Sequence, residues 1–162
     1  MSEHLFTYGT LLPERAPRCV ADAVRKLRYI GRAFARGRLY DLGDYPGAAL
    51  DAASPLRIAG RVFALPGEDV WETLDAYEGV DPQDRENSLF VREQTAVALE
   101  DGRQLSCWIY VYNRDVSSAK LIASGDYLNH LAAQAPSYHH DRSTQRYRDE
   151  ANRSDAARDG RS

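Results

Sequence analysis

The chain has 162 residues, the size of one ordinary domain, and its 21 Lys and Arg against 24 Asp and Glu give a formal charge of −3. A 43% hydrophobic and 28% charged composition suits a packed core, and the charge balance argues against nucleic-acid binding driven by bulk positive charge. No apolar run reaches the roughly 20 residues that span a bilayer, the N-terminus lacks the basic-then-apolar pattern of a secretory signal, and Cys19 and Cys107 form no CxxC pair, so the expectation is a cytoplasmic protein with reduced thiols.

Residues 5–8, Leu-Phe-Thr-Tyr, read as a strand that Gly9 and Pro13 end. Residues 18–26 suit a short helix. Residues 29–42 are rich in Tyr, Phe, Ile and Leu but interrupted by Gly31 and Gly37, which suggests bent strand pairs. Arg25, Lys26, Arg28, Arg32, Arg36 and Arg38 cluster here, and a solvated strand face explains them better than a nucleic-acid groove. Residues 44–47, Asp-Tyr-Pro-Gly, signal a turn. Residues 58–65 form a further strand, stopped by Pro66 and Gly67.

The spacing predicts a helix over residues 68–78, with Glu68 and Asp69 in its first turn and Gly79 at its stop. Residues 89–100 and 103–112 read as a hairpin. Asp101-Gly102 is the signature of a two-residue type I′ turn, which would set Glu100 opposite Arg103. In the second arm Leu105, Cys107, Ile109 and Val111 share one face, and Trp108, Tyr110 and Tyr112 share the other, as in a strand buried on both sides. A last helix over residues 124–134 would turn Leu128, Leu131 and Ala132 inward. Composition shifts near residue 135. Residues 136–162 mix both charge signs with few large apolar residues and read as a flexible tail, in which a helix over 144–157 would be polar almost all round.

Strands with isolated helices between them lack the regular alternation of a parallel sheet. The elements alone point to an α+β domain over residues 1–135, built on a mixed, largely antiparallel sheet or small barrel.

Two features stand out chemically. Trp71, Leu74 and Glu78 are spaced i, i+3, i+7, so Glu78 shares the apolar stripe of its helix. It also ends that helix, where the macrodipole opposes negative charge. Desolvation and dipole both predict a raised pKa, as a proton shuttle needs. The competing reading is a carboxylate that swings outward from a frayed helix end. The second feature is Tyr8-Gly9-Thr10-Leu11, where a glycine at a strand end frees backbone amides to face an anion; for the segment alone an ordinary strand-ending turn is the stronger reading. The aromatic face of Trp108, Tyr110 and Tyr112 reads as core. His139-His140 has no partner at metal-ligand spacing, and no metal site is expected. Nucleophile-elbow, P-loop and dinucleotide-binding motifs are absent.

Taken in order, Tyr8-Gly9-Thr10-Leu11, Tyr45-Pro46-Gly47-Ala48 and Leu74-Asp75-Ala76-Tyr77-Glu78-Gly79 resemble the gamma-glutamylcyclotransferase-like family, which includes AIG2-like proteins. Arg92 and Tyr110-Val111-Tyr112 fit the same pattern, which spans roughly residues 4–135. The resemblance narrows the fold to a small mixed, largely antiparallel β-barrel with peripheral helices, whose enzymes release 5-oxoproline from gamma-glutamyl compounds, without cofactor or metal. It makes Glu78 the catalytic carboxylate and Tyr8, Gly9, Thr10 and Leu11 the substrate-binding loop. Ser124-Gly125-Asp126-Tyr127 is similar to a segment in which the tyrosine contacts substrate, and this nominates Tyr127. The implied partner is a small gamma-glutamyl molecule, with no membrane or nucleic acid. The family acts on gamma-glutamyl amino acids, gamma-glutamylamines and carrier-bound gamma-glutamyl groups. A non-catalytic ligand-binding module on the same fold is the alternative.

Overall fold

A computed structural model describes residues 3–9, 11 and 16–134. Thr10, the expected tail and its His139-His140 pair lie outside the described residues. Five strands close a barrel: β1 (Glu3–Thr7), β4 (Arg57–Leu65), β2 (Arg28–Asp41), β5 (Phe90–Leu99) and β6 (Gln104–Tyr112). The neighbours around the ring are antiparallel except at the closure, where β1 runs parallel to β6. Two short strands, β3 (Pro46–Leu50) and β7 (Lys120–Leu121), extend the far end of β2. Helices α1 (Arg18–Arg25), α2 (Glu68–Glu78) and α3 (Tyr127–Gln134) complete an α+β fold. This is the predicted mixed barrel with peripheral helices.

Alternation along the strands divides the core in two. Phe6, Ile58, Val62, Val97, Cys107 and Ile109 fill the barrel. Leu5, Phe63, Leu65 and Tyr110 face outward, where Val20 and Val24 of α1 and Val70, Trp71 and Leu74 of α2 cover them. The two faces of β6 are thus both used, as its bulky alternation predicts. Cys107 sits inside the barrel, where burial pushes its thiol up to about 11, and neither it nor exposed Cys19 is disulfide-bonded.

Three expectations change. Residues 29–42 are not strand pairs but part of one 14-residue strand, β2, which bulges between Tyr29 and Gly31 and pairs in succession with β4, β5, β3 and β7. The glycines bend it without ending it. The hairpin loop has three residues, not two. Leu99, not Glu100, bonds to Arg103, and the Glu100 amide donates to the Arg32 carbonyl. Only Gly102 in this loop has positive φ, whereas a type I′ turn needs two such residues. The last helix begins at Tyr127, and Ala132 is exposed; Tyr127 is buried, while Leu128 and Leu131 pack against the core. An eight-residue helix lying along the barrel buries only its first turn and one edge. His130 Nε2 lies 2.9 Å from Asp41 Oδ2 and fastens α3 to β2.

Among the described residues, no helix is long and apolar enough to cross a membrane.

Candidate active site

Helix α2 ends as its sequence predicts. Gly79 adopts φ 72°, ψ 32°, its amide bonds to Ala76, and the Val80 amide bonds to the Asp75 carbonyl at 2.9 Å. This left-handed cap is open to glycine at little steric cost. It stops the helix one residue after Glu78 and leaves that side chain half-buried on the stripe of Trp71 and Leu74.

The Glu78 carboxyl is pushed up to about 8, first by desolvation and then by the negative charge of Asp75. The direction is the expected one. The contribution of Asp75, one helical turn back, was not anticipated. Asp75 is held in place by two donors that reach the same oxygen: the Tyr110 hydroxyl at 2.7 Å and Arg92 Nε at 2.9 Å. Arg92 itself lies between two indoles, 4.3 Å from the Trp71 ring centre and 5.1 Å from that of Trp108. Trp71 Nε1 donates to the Glu3 carboxylate. Four elements, β1, α2, β5 and β6, thereby fix the charge behind Glu78. The sequence pattern marked Arg92 but gave no partner for it, since the ion pair joins positions 17 residues apart across two elements.

Tyr8 follows β1, with its ring buried. Its hydroxyl donates to the Tyr110 carbonyl at 2.5 Å and accepts from the Ala48 amide at 3.2 Å. Desolvation and the negative charge of Glu78 both raise its pKa, so it stays a neutral phenol. Gly9 is packed on Pro46: a Cβ there would come within 2.7 Å of the proline Cγ. The glycine is therefore required by close approach. Leu11 is buried in the outer cluster with Trp71 and Tyr110. Tyr127 belongs to the inner cluster that also holds Tyr8.

The three sequence motifs thus meet in space. The Tyr8-Gly9 segment lies on Pro46 and Ala48, and Tyr110 joins it to α2 by accepting from Tyr8 through its carbonyl and donating to Asp75 through its hydroxyl. Glu78, Tyr8, Gly9 and Leu11 gather around this junction. Tyr127 shares a core cluster with Tyr8, and its place in the fold is inside the barrel. Among the described residues, no three His, Cys, Asp or Glu side chains gather as metal ligands.

Residues 5–129 match the family described as gamma-glutamyl cyclotransferase, AIG2-like. The chain belongs to this family. Among solved structures, YkqA from Bacillus subtilis is similar with a TM-score of 0.64 and 21% identity, over 85% of this chain and 44% of that one. This chain therefore spans less than half of that longer protein. The ytfP protein from Escherichia coli is similar at TM-score 0.55 and 28% identity, over 78% of this chain and 97% of that one. An AIG2-like protein from Mus musculus gives TM-score 0.55 and 18% identity, over 70% and 80% of the two chains. No curated protein matches the sequence.

Proposed function

We propose that the protein is a gamma-glutamyl cyclotransferase-type enzyme, with Glu78 as the group that moves the proton. One observation carries this reading: a carboxyl raised to about 8, seated where the Tyr8-Gly9 segment, Ala48 and α2 converge. Family membership supports the substrate class.

The reaction moves two protons from the substrate's α-nitrogen to its departing nitrogen. The substrate's α-ammonium gives its proton to the Glu78 carboxylate, and the free amine attacks its own γ-carbonyl. A five-membered tetrahedral intermediate forms. Glu78 then gives the proton to the departing nitrogen as the carbon–nitrogen bond breaks, takes the second proton that the ring nitrogen must lose, and passes it to the released amine, giving 5-oxoproline and an ammonium ion. No water is consumed, and Glu78 ends as it began. A carboxyl near 8 matches an α-amine, whose ordinary pKa is about 8, so both transfers are nearly level in free energy. The cost is that roughly one molecule in ten carries the reactive carboxylate at pH 7.

Backbone amides of residues 9–11 hold the substrate carboxylate or the developing oxyanion, where fixed dipoles are most effective. The buried Tyr8 phenol keeps this segment in register with β3 and β6. Tyr127 contacts the bound glutamyl group. Folding the glutamyl chain on itself supplies much of the acceleration, because nucleophile and electrophile belong to one molecule.

The test is 5-oxoproline release from gamma-glutamyl amino acids, gamma-glutamylamines and glutathione. Product from at least one of these is expected. Ligand binding without product from any of them would favour a non-catalytic module.

A further inference from the structure

Arg92 takes no part in the proton transfers assigned to Glu78, yet two other elements hold its guanidinium in place. Trp71 of α2 and Trp108 of β6 meet edge to face, with ring centres 6.3 Å apart, and form a corner around it. The guanidinium carbon is 4.3 Å from the first ring centre and 5.1 Å from the second. Aromatic faces attract a cation, and the planar guanidinium packs flat against them. Nε then donates to Asp75 Oδ1 at 2.9 Å, the same oxygen that accepts from the Tyr110 hydroxyl at 2.7 Å. The Arg92 and Asp75 side chains are 27% and 14% exposed, which makes theirs the least exposed pair of an arginine or lysine with a carboxylate among the described residues. Water and salt screen the surface pairs; a sheltered pair acts on its neighbours.

The neighbour here is Glu78. Asp75 precedes it by three residues on α2, a spacing that sets Cβ atoms about 5–6 Å apart. All three charges also meet at the Tyr110 hydroxyl. Burial first, then Asp75 and Glu78, hold that phenol well above its ordinary range, and Arg92 pulls it down. Arg92, Asp75 and Glu78 therefore surround one hydroxyl. Tyr8, arriving after β1, is raised by burial and by Glu78 and stays a neutral phenol. Glu3 of β1 accepts from Trp71 Nε1, two helical turns before Glu78. Arg92 forms its ion pair with Asp75 and not with Glu78, so it reaches Glu78 through Asp75.

We propose that Arg92 is a positioning residue for Glu78: it fixes the Asp75 carboxylate against Tyr110 and offsets the charge that this carboxylate directs at Glu78, so that Glu78 still releases its proton close to neutral pH. The sign follows from Coulomb's law. A bare carboxylate one turn away opposes ionisation of Glu78, and a cation paired with that carboxylate cancels part of the opposition. Packing alone has no such sign. The use made of the proton rests on the cyclotransfer reading; the charge relationship does not.

Two measurements separate the two claims. The first follows the Glu78 carboxyl carbon by NMR through a pH titration of the whole protein, without substrate. Arg92→Met keeps an unbranched stem against the indoles and removes the charge. It should move the Glu78 titration up by about 0.5 pH unit or more from its native place near 8. Arg92→Lys keeps the charge and should move it less. Asp75→Asn should move it down. Opposite shifts from the two members of one ion pair are an electrostatic signature that lost packing does not reproduce. If Arg92→Met does not fold, Asp75→Asn is compared with the double variant Asp75→Asn/Arg92→Met, in which no charge of the pair is left unpaired; the double variant should titrate higher. An unmoved or lowered titration on removing Arg92 would overturn the proposal.

The second measurement is the pH profile of kcat/KM for 5-oxoproline release. Its rising limb should follow the NMR titration, so Arg92→Met should lose about threefold or more at pH 7 and recover toward the native rate in more alkaline solution. Titrations that shift as expected, with no release from any gamma-glutamyl compound, would overturn the cyclotransfer reading and leave the charge relationship standing. Release with an unmoved titration would overturn the role of Arg92 and leave the cyclotransfer reading standing.

Discussion

Asp75 and Glu78 lie three residues apart at the end of α2, and the charge of Asp75 adds to burial in holding the Glu78 carboxyl up to about 8. Residues at i and i+3 share a helix face, so the two carboxyls cannot avoid each other. Asp75 keeps its position because Tyr110 and Arg92 donate to it. Removing its charge should therefore lower the Glu78 pKa. In Asp75→Asn, the rising limb of the kcat/KM profile should move to lower pH than in the native protein, where it should fall near 8. A limb that stays in place would show that Asp75 does not act on Glu78.

The raised pKa also sets a pH dependence of stability. Glu78 ordinarily titrates near 4.5 and in the folded chain near 8, so between these values the folded state binds more protons than the unfolded one. Stability from this group is fully present below about 4.5 and is lost as pH rises to about 8. Glu78→Gln removes the penalty. The variant should be more stable than the native protein at pH 9 by on the order of 2 kcal/mol, discounted for a half-buried group, with little difference at pH 4.5. Denaturant melts at the two pH values measure this. An equal difference at both would contradict the assigned shift.

Tyr8→Phe deletes a hydroxyl that satisfies two backbone groups, the Tyr110 carbonyl and the Ala48 amide. The expected loss is about 1–3 kcal/mol of stability, the cost of leaving buried polar groups unpaired. Urea unfolding reads it. A loss within about 0.5 kcal/mol, as for an ordinary surface change, would mean that water replaces the phenol easily.

Gly79→Ala and Gly9→Ala separate fold from site. Gly79 has positive φ, and a Cβ there comes within 3.1 Å of Leu89 Cβ, so alanine should cost about 1–2 kcal/mol of stability. At Gly9 the Cβ would meet Pro46 at 2.7 Å, so the loop must shift. A displacement of about 1 Å in a positioning element can cost about 100-fold in rate. Gly9→Ala should therefore lower kcat/KM more than Gly79→Ala does, relative to their stability losses.

What was legible in the sequence follows the range of the interactions. Helix α2 was readable because its signals are local: Pro66 and Gly67 before it, acids in the first turn, Gly79 after it. The place of Glu78 on the apolar stripe follows from spacing alone, and so does the direction of its shift. The spacing of Asp75 from Glu78 is equally local, but the donors that hold Asp75, Tyr110 and Arg92, arrive from β6 and β5 and leave no local signal. Strand β3 was hidden because Pro46-Gly47-Ala48-Ala49-Leu50 has the residues of a turn, and becomes a strand only against β2 and Val111. Asp101-Gly102 fits both two- and three-residue loops, and the pairing of Leu99 with Arg103 decides between them. Gly31 and Gly37 resemble breaks in sequence, yet backbone pairing carries β2 through both.

The most direct test of Glu78 as the proton carrier is the rate of 5-oxoproline release by native and Glu78→Gln proteins at saturating substrate and pH 8, with both first shown to be folded. The account predicts release by the native protein and a drop of about 100- to 10,000-fold in the variant, the usual contribution of a positioned acid–base group. Release by Glu78→Gln at the native rate would contradict it.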